Sequence, residues 1–384
     1  MRVKLLLAPD SFKGSLRAAR AAALMEDAAR RVFPEVQCVL APIADGGEGT
    51  VEALSSGCGV RTHWVTGPLG APVEAMYACL ADGRTYVLEM AQASGLLQAG
   101  DVRDPLRATS RGTGELIAHA IAEGAQHLLI GLGGSATNDG GMGMLAALGA
   151  RFWDASGRLL AGCGEDLEKV CEADLSGLPK AAITVISDVS NPLLGEAGAT
   201  RIYGPQKGAT GKVGERLEKG MAHYARVLSE IVGKDIAAFP GAGAAGGMGA
   251  ALGGVLGAKL RPGIEAVLDA IGFDALLSGC DLVVTGEGQM DAQSVCYGKA
   301  PTGVARRCAK NGVPVIALVG GMGAGAMAYL NEGACSIMTA VNAPMPAERA
   351  MRDAEALLFE AAERMFRMVK MGMDIAEGAK GRAR

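Results

Sequence analysis

Residues 127–149 read HLLIGLGGSATNDGGMGMLAALG, and this stretch decides how the chain folds. It begins with an apolar run of strand length, His127 to Leu132, and ends with a helical segment, Met144 to Gly149, on the other side of a glycine-rich loop. Such a loop can turn backbone N–H groups toward a phosphate, and its hydroxyl and amide side chains add donors. Its length and polarity favour phosphate binding over a purely structural turn. The candidate phosphate-binding residues are Gly133, Gly134, Ser135, Thr137, Asn138, Asp139, Gly140 and Gly141.

The same order of apolar run, polar or glycine-containing turn and helical stretch recurs along the chain. Continuous apolar runs of strand length, without polar alternation, are typical of strands that are buried on both faces of a parallel sheet. Their alternation with helical segments predicts an α/β fold with parallel sheets. The other runs of this kind are Val3 to Leu7, Val36 to Pro42, Ala181 to Ile186, Leu282 to Thr285 and Val313 to Val319.

One region departs from this order. The segments Val73 to Leu80 and Thr85 to Met90 lie on either side of Asp82-Gly83, a dipeptide that favours a tight hairpin turn. An antiparallel hairpin indicates a second domain with a mixed α/β architecture.

Composition excludes several classes of function. With 384 residues, the chain is long enough for two domains. A net charge of −4 and a charged fraction of 20% give no surplus of positive charge to attract nucleic acid. Nine cysteines without a CxxC pair predict buried, reduced thiols rather than a metal site. Residues 236–258 carry no charge, but they are too rich in glycine to form a membrane span. We expect a cytoplasmic protein without a signal peptide or a membrane partner.

Acidic residues follow the predicted strands repeatedly. Asp10, Asp45, Asp188 and Glu287 each lie within a few residues of a strand end. The carboxyl ends of parallel strands share one edge of a sheet, so these carboxylates would gather where ligands bind in open α/β sheets. A divalent cation with nucleotide phosphates would neutralise them, and Mg²⁺ prefers a few carboxylates plus phosphate oxygens and water.

Lysines in glycine-containing loops complete a pattern that suits transfer between two anions. Lys13, Lys207 and Lys299 lie in such loops, and Lys13 could place its ammonium on phosphate oxygens. No lysine follows the glycines of residues 131–143, so this is not a Walker A loop. The chain also lacks a nucleophile elbow with suitable partners and a dinucleotide fingerprint, which argues against a hydrolase and an NAD-dependent dehydrogenase.

The chain resembles the bacterial glycerate kinases, a family unrelated to the P-loop kinases, over nearly its whole length. Long runs in family order carry the resemblance. These are residues 8–15 (APDSFKGS), 45–50 (DGGEGT), 89–96 (EMAQASGL), 112–117 (GTGELI), 131–141 (GLGGSATNDGG), 188–193 (DVSNPL), 204–209 (GPQKGA), 241–247 (GAGAAGG) and 285–288 (TGEG).

The resemblance implies an ATP- and Mg²⁺-dependent enzyme that phosphorylates D-glycerate to 2-phosphoglycerate. It also implies two α/β domains with the active site in the cleft between them. We expect a discontinuous Rossmann-like domain of residues 1–65 and 260–384, and a second α/β domain of residues 66–259. The alternatives are a 3-kinase that gives 3-phosphoglycerate and a nucleotide-binding regulatory protein without activity. The sequence gives no indication of the oligomeric state.

We assign roles to these residues as hypotheses. In-line phosphoryl transfer needs a carboxylate to accept the hydroxyl proton, and Asp188 is the first candidate and Asp45 the second. Lys13 is the candidate for the transferring phosphate. The carboxylate of glycerate needs a cation, for which Arg103 is preferred to Lys207. The glycine-loop residues would bind ATP, Glu287 and Asp291 would bind Mg²⁺, and Asp10 is grouped with the substrate-binding residues.

Overall fold

The computed structural model describes residues 3–47, 49–55, 59–296 and 299–382. Strands and helices alternate along most of this part of the chain, as the apolar runs predict. The strands are β1 (Lys4–Pro9), β2 (Gln37–Leu40), β3 (Val60–Thr66), β4 (Pro72–Cys79), β5 (Thr85–Glu89), β6 (His127–Gly131), β7 (Arg151–Trp153), β8 (Glu172–Asp174), β9 (Ala182–Ile186), β10 (Lys259–Arg261), β11 (Leu282–Gly286), β12 (Gln289–Met290), β13 (Val315–Val319), β14 (Gly321–Met322) and β15 (Ser336–Thr339).

Helices of very different length connect these strands. Short 3₁₀ segments cover Gly164–Asp166, Pro205–Lys207 and Ala326–Glu332, and a π-helical segment covers Ala250–Val255. The α-helices are α1 (Ala18–Val32), α2 (Thr50–Leu54), α3 (Met90–Ser94), α4 (Arg111–Ala122), α5 (Met142–Ala147), α6 (Ala199–Tyr203), α7 (Gly211–Val232), α8 (Ala244–Gly249), α9 (Gly263–Ala270), α10 (Phe273–Leu276), α11 (Ala292–Cys296), α12 (Ala300–Lys310), α13 (Ala347–Arg352) and α14 (Ala354–Arg382). None of the helices in the described ranges is long and apolar enough to cross a membrane.

The chain divides into two compact units, and the first comprises Met1–Ala44, Glu52–Ser56 and Ile264–Arg384. Its sheet has the order β15-β13-β11-β1-β2, and every neighbouring pair is parallel. In chain order this is 2-1-3-4-5, a doubly wound arrangement. The interior strand β1 is almost wholly buried, and α1 and α14 pack against each other beside the sheet. The parallel sheet predicted from the apolar runs is confirmed, and so is the Rossmann-like architecture that the resemblance implies.

The second unit comprises Asp45–Val51 and Gly57–Gly263, and its sheet is mixed. The strand order is β10-β9-β6-β5-β4-β3, with β10, β9, β6 and β5 parallel and the pairs β5–β4 and β4–β3 antiparallel. The predicted hairpin is therefore confirmed. Its turn is longer than the two residues of the Asp82-Gly83 dipeptide, because the closing backbone hydrogen bond joins Thr85 to Leu80.

Strand β3 lies in the second unit, whereas the sequence placed residues up to 65 in the first domain. The reason is its pairing. Val60 to Thr66 align with Ala78 to Pro72 of β4 along the full length of β3. A strand that shares a ladder over its whole length belongs to the sheet of its partner, and apolar periodicity alone does not reveal that partner.

The cysteines match the sequence expectation only in part. The described cysteines are free thiols, with Cys308 buried. Cys171 and Cys335 are exposed, so the expectation of burial is wrong for these two.

The hairpin turn offers a test of the second unit. The carboxylate of Asp82 accepts hydrogen bonds from the backbone N–H groups of Arg84 at 3.0 Å and Thr85 at 2.8 Å, and from the Thr85 hydroxyl at 2.6 Å. Asp82→Ala should lower the free energy of unfolding by about 1 kcal/mol, because exposed hydrogen bonds of this kind contribute modestly. Equilibrium urea denaturation measures the change. Glu74→Ala removes an exposed charge from the same hairpin and is the control; equal losses in both variants would contradict a role for the turn.

Candidate functional site

The glycine-rich loop follows β6 at its carboxyl end and leads into α5, as the sequence predicts. Gly134, Gly140 and Gly141 have φ values of +75°, +63° and +73°, a region that residues with a side chain rarely adopt. A Cβ atom on Gly140 would lie 2.7 Å from the ring of Tyr224. Glycine is required here for the backbone conformation and for the close packing behind the loop.

A buried carboxylate holds this loop in place. Asp139 is 0% exposed. It accepts hydrogen bonds from the N–H and hydroxyl of Ser110, both at 2.7 Å, and from the N–H groups of Gly141 at 3.1 Å and Gly143 at 3.3 Å. Ser110 immediately precedes α4, and its hydroxyl also accepts the N–H of Met144 in α5 at 2.9 Å. Burial raises the pKa of Asp139, and its donors oppose that shift. The side chain that the sequence assigned to ATP thus makes its contacts inside the protein.

A second glycine-rich segment, residues 241–249, packs directly on the loop. Within α8 the residues Ala245, Gly246 and Gly247 are left-handed, with φ values of 51°, 66° and 93°. The carbonyl of Gly246 accepts the N–H of Gly140 at 3.0 Å, and a Cβ on Gly246 would lie 2.0 Å from the carbonyl oxygen of Thr137. Residues 241–249 have no polar side chains, so this segment hydrogen-bonds to the glycine loop through its backbone.

Lys207 lies beneath the loop and is 2% exposed. Its ammonium donates to the Ser135 hydroxyl at 3.0 Å and to the Thr137 carbonyl at 2.7 Å. Burial lowers the pKa of Lys207 to about 7, although the negative charge of Asp139 opposes this shift. Arg103, the other cation proposed for glycerate, is exposed, and its guanidinium donates to the carbonyls of Gly100 and Val102. The two cations therefore have very different surroundings.

The loop also carries polar groups that no described residue satisfies. Among the described residues, the backbone N–H groups of Gly133, Gly134, Asn138 and Asp139 have no hydrogen-bond acceptor. The side-chain amide of Asn138 donates to the Thr200 hydroxyl at 3.0 Å, but its buried Oδ1 has no donor within the same part of the chain. Asn138 and Asp139 are buried, whereas Gly133 is half-buried and Gly134 is exposed. Buried polar groups are normally paired, so the N–H groups of Asn138 and Asp139 in particular are suited to a bound anion.

Asp45 and Asp188 come together at Gly263. Oδ1 of Asp188 accepts the N–H of Gly263 at 2.7 Å. A Cβ on Gly263 would lie 1.9 Å from the carbonyl oxygen of Asp45, so the main chain of Asp45 packs against the same residue. Asp188 is exposed and Asp45 is half-buried, which leaves both carboxylates accessible. The structure thus places the two candidate bases as neighbours at the carboxyl end of β9.

Sequence reasoning quoted Glu89 within a motif but gave it no role. Glu89 ends β5, is 1% exposed, and accepts the backbone N–H groups of Val51 at 2.6 Å and Gly49 at 3.2 Å. It thereby anchors the turn that follows Asp45. The motif residue Glu48 lies outside the described residues. The available signal was an acidic residue at the end of a strand and before a helical segment. The residues that donate to Glu89 are about 40 residues away in sequence, so the sequence did not reveal them.

The acids and the lysine of the first unit also meet at strand ends. Asp10 follows β1, is 8% exposed, and its N–H donates to the carbonyl of Gly286 at 2.8 Å. Lys13 is exposed in the turn that follows, and a Cβ on Gly288 would lie 3.2 Å from its backbone nitrogen. The segment that carries Glu287 therefore runs beside the segment that carries Lys13.

Glu287 has the most perturbed carboxylate of this unit. It is 8% exposed, and its Oε1 has no hydrogen-bond partner among the described residues. The pKa of Glu287 is raised to about 7, and burial is the largest cause. The nearby Asp291 also raises the pKa, whereas Ser294, Lys299 and Lys13 lower it. An ionised carboxylate in this position needs a cation.

Glu287 and Asp291 fit a magnesium ion that is held mainly by other ligands. The described residues contain no group of three His, Cys, Asp or Glu side chains that could hold a metal ion. Mg²⁺ is commonly bound through one or two carboxylates, with phosphate oxygens and water in the remaining positions. The unpartnered Oε1 of Glu287 is an oxygen ligand of this kind.

Comparison with known proteins identifies the family of the chain. The glycerate kinase family model matches residues 5–370. A glycerate 2-kinase from Escherichia coli K12 is 49% identical over 327 residues, which cover 83% of this chain and 86% of that protein. A glycerate kinase from Bacillus subtilis 168 is 43% identical over 96% of this chain and 98% of its own. The crystal structure of a candidate glycerate kinase 2 from Salmonella typhimurium LT2 superimposes with a TM-score of 0.88, at 42% identity over 97% of this chain and 100% of that chain.

Fold and relatives together define the chain as a kinase with two α/β units. It belongs to the glycerate kinase family. The family and the fold class expected from the sequence are confirmed, whereas the roles of individual site residues stay predictions.

Glu287 gives a test of the electrostatics of the first unit. Its pKa is raised to about 7 from 4.5, so the folded protein binds the proton more tightly than the unfolded chain does. Its contribution to stability is therefore lost as pH rises from about 4.5 through 7. The quantity to compare is the free energy of unfolding of Glu287→Gln minus that of the wild-type protein, measured without Mg²⁺. This difference should be about 1–3 kcal/mol more favourable to the variant at pH 8 than at pH 4.5.

Denaturant unfolding with EDTA present, at several pH values, measures this difference. Glu348→Gln changes an exposed carboxylate of α13 and is the matched control. A wild-type protein and a Glu287→Gln variant with parallel pH profiles would show that the carboxylate is not perturbed.

Proposed function

We propose that this enzyme transfers the γ-phosphoryl group of ATP to D-glycerate and produces 2-phosphoglycerate. The observation that carries the proposal is the family match over residues 5–370, together with 49% identity to a relative named glycerate 2-kinase. The loop donors and the carboxylates described above supply the chemistry that such a transfer needs. We further propose that the reaction takes place in the cytoplasm, where ATP is available.

The glycine loop would bind the phosphates of ATP. Four backbone N–H groups of the loop lack a described acceptor, and left-handed glycines allow a ligand to approach the backbone closely. The hydroxyls of Ser135 and Thr137 add donors beside them. The buried carboxylate of Asp139 would act by holding the loop rather than by touching the nucleotide, because its oxygens already accept hydrogen bonds from Ser110, Gly141 and Gly143.

Glu287 and Asp291 would hold Mg²⁺, directly or through water. The bound ion supplies neutralisation of phosphate charge during transfer. Lys13, exposed in its turn beside the Glu287 segment, would place its ammonium on the transferring phosphoryl group.

Asp188 is the first choice for the base that accepts the hydroxyl proton of glycerate, and Asp45 is the second. Asp188 has an exposed carboxylate whose Oδ1 is oriented by the N–H of Gly263. A base must lie within hydrogen-bond reach of the proton it removes, and the contact with Gly263 holds the Asp188 carboxylate in a defined orientation.

Arg103 is the preferred partner for the carboxylate of glycerate. The Arg103 residue is exposed, and among the described residues its guanidinium donates only to the neutral carbonyl groups of Gly100 and Val102. A bidentate pair with a carboxylate would be a stronger interaction. Lys207 and Asp10 remain the other candidate substrate-binding residues.

The identity of the product tests the proposal. Purified protein with Mg²⁺, ATP and D-glycerate should release ADP and form a compound that enolase dehydrates without added phosphoglycerate mutase, because enolase acts on 2-phosphoglycerate. Absorbance of phosphoenolpyruvate and coupled ADP detection measure the two events.

A requirement for the mutase would indicate 3-phosphoglycerate and would replace the 2-kinase with a 3-kinase. Protein that binds ATP but releases no ADP with either enantiomer of glycerate would favour the regulatory alternative.

The choice of base is tested by substitution. Asp188→Asn should lower kcat by at least about 100-fold and leave the affinity for Mg-ATP within a factor of about three, because the proton acceptor is lost but nucleotide binding is not. Steady-state kinetics and calorimetry measure the two quantities. Asp45→Asn is the matched control at the neighbouring position. A large loss of kcat in Asp45→Asn alone would assign the base to Asp45.

A further inference from the structure

Lys207 is buried, which is unusual for a lysine in a glycine-containing loop. It lies at the end of the 3₁₀ segment Pro205–Lys207, and Gly208 follows with a φ of +94°. Its ammonium is buried and donates to the Ser135 hydroxyl and the Thr137 carbonyl of the glycine loop. An ammonium has three N–H donors. Among the described residues no third acceptor is present.

The charged group that acts on Lys207 is Asp139, whose carboxylate favours the protonated amine. Its direct neighbours are otherwise the neutral hydroxyl of Ser135 and the neutral carbonyl of Thr137. Burial outweighs Asp139 and lowers the pKa of Lys207 to about 7. Without a ligand, part of the Lys207 population is therefore a neutral amine near physiological pH.

The same loop presents backbone N–H groups without described acceptors, at Gly133, Gly134, Asn138 and Asp139. Ser135 and Thr137, the two residues that Lys207 contacts, lie in sequence between Gly134 and Asn138. An anion beside the loop would accept hydrogen bonds from the amides, and its negative charge would favour protonation of Lys207.

We propose that Lys207 is the cation of the anion site formed by the glycine loop, and that it takes up a proton from solvent when a phosphate or carboxylate group binds there. The proposal deepens the proposed function and rests on it for the identity of the ligand. It differs from the substrate clamp that the sequence suggested, because the contacts of Lys207 link it to the loop itself. In this step the neutral amine of Lys207 takes up one proton from solvent and becomes the ammonium.

Proton uptake can be measured directly by isothermal titration calorimetry at pH 8 in buffers with different ionisation enthalpies. Mg-ATP without glycerate is one ligand, and D-glycerate without nucleotide is the other. Both ligands are fully ionised at pH 8, so neither supplies the signal. If the bound anion restores the positive charge of Lys207, binding at this pH should take up roughly 0.5 proton or more per site. Uptake with Mg-ATP assigns the site to phosphate, and uptake with glycerate assigns it to the carboxylate.

Lys207→Arg keeps a positive charge that cannot be lost, so ligand binding should persist and the uptake should disappear. Lys207→Met should also abolish the uptake and weaken the same ligand at least about 10-fold. Lys212→Met removes an exposed lysine at the start of α7 and is the control for binding and thermal stability. If the Lys207 variants do not fold, the pH dependence of uptake in the wild-type protein remains informative, since it should vanish below about pH 5.5.

Binding of both ligands without proton uptake at pH 8, or uptake that persists in folded Lys207→Met, would overturn the proposal. Uptake with a ligand in a protein that never releases ADP would support the role of Lys207 and refute the kinase reaction. ADP release without proton uptake would support the kinase reaction and refute the role of Lys207. Failure of the Lys207 proposal can therefore be distinguished from failure of the proposed function.

Discussion

The buried carboxylate of Asp139 is the interaction on which the second unit depends. Four donors from Ser110, Gly141 and Gly143 converge on its two oxygens, and Ser110 in turn contacts Met144 at the start of α5. A carboxylate without water needs such donors, because an unpaired buried charge costs several kcal/mol. The loop, the start of α4 and the start of α5 must therefore adopt one mutual arrangement. The glycines follow from this arrangement, since no larger residue fits the resulting backbone.

Each unit also keeps a buried ionisable group with a pKa near 7, and the two shifts have opposite signs. Burial disfavours the charged form in both cases, so the pKa of Glu287 rises and that of Lys207 falls. Burial of these two groups does not increase the free energy of unfolding near neutral pH, because it disfavours their charged forms. A bound cation would restore the charge of Glu287 and a bound anion that of Lys207. Groups of this kind are expected at ligand sites, where stability is given up for binding.

Apolar runs and turn residues were sufficient to locate β1, β6, β9, β11 and β13, and the hairpin of β4 and β5. Their side-chain pattern reflects burial on both faces, which is a local consequence of a parallel sheet. Acids after these strands were recognisable for the same reason, since they follow the strand ends directly. The roles of Glu89 and Asp139 were not recognisable, because Val51 lies 38 residues before Glu89 and Ser110 lies 29 residues before Asp139 in sequence.

Local patterns and long runs in family order were sufficient to recognise the family, the two α/β architectures and the positions of the glycine and acidic motifs. Tertiary structure alone decided which charges are buried. Lys13 and Lys207 both lie in short glycine-containing loops, yet Lys13 is exposed while Lys207 is 2% exposed beneath the loop of Ser135 and Thr137. Desolvation depends on every atom packed around a group, and those atoms come from segments that are distant in the chain.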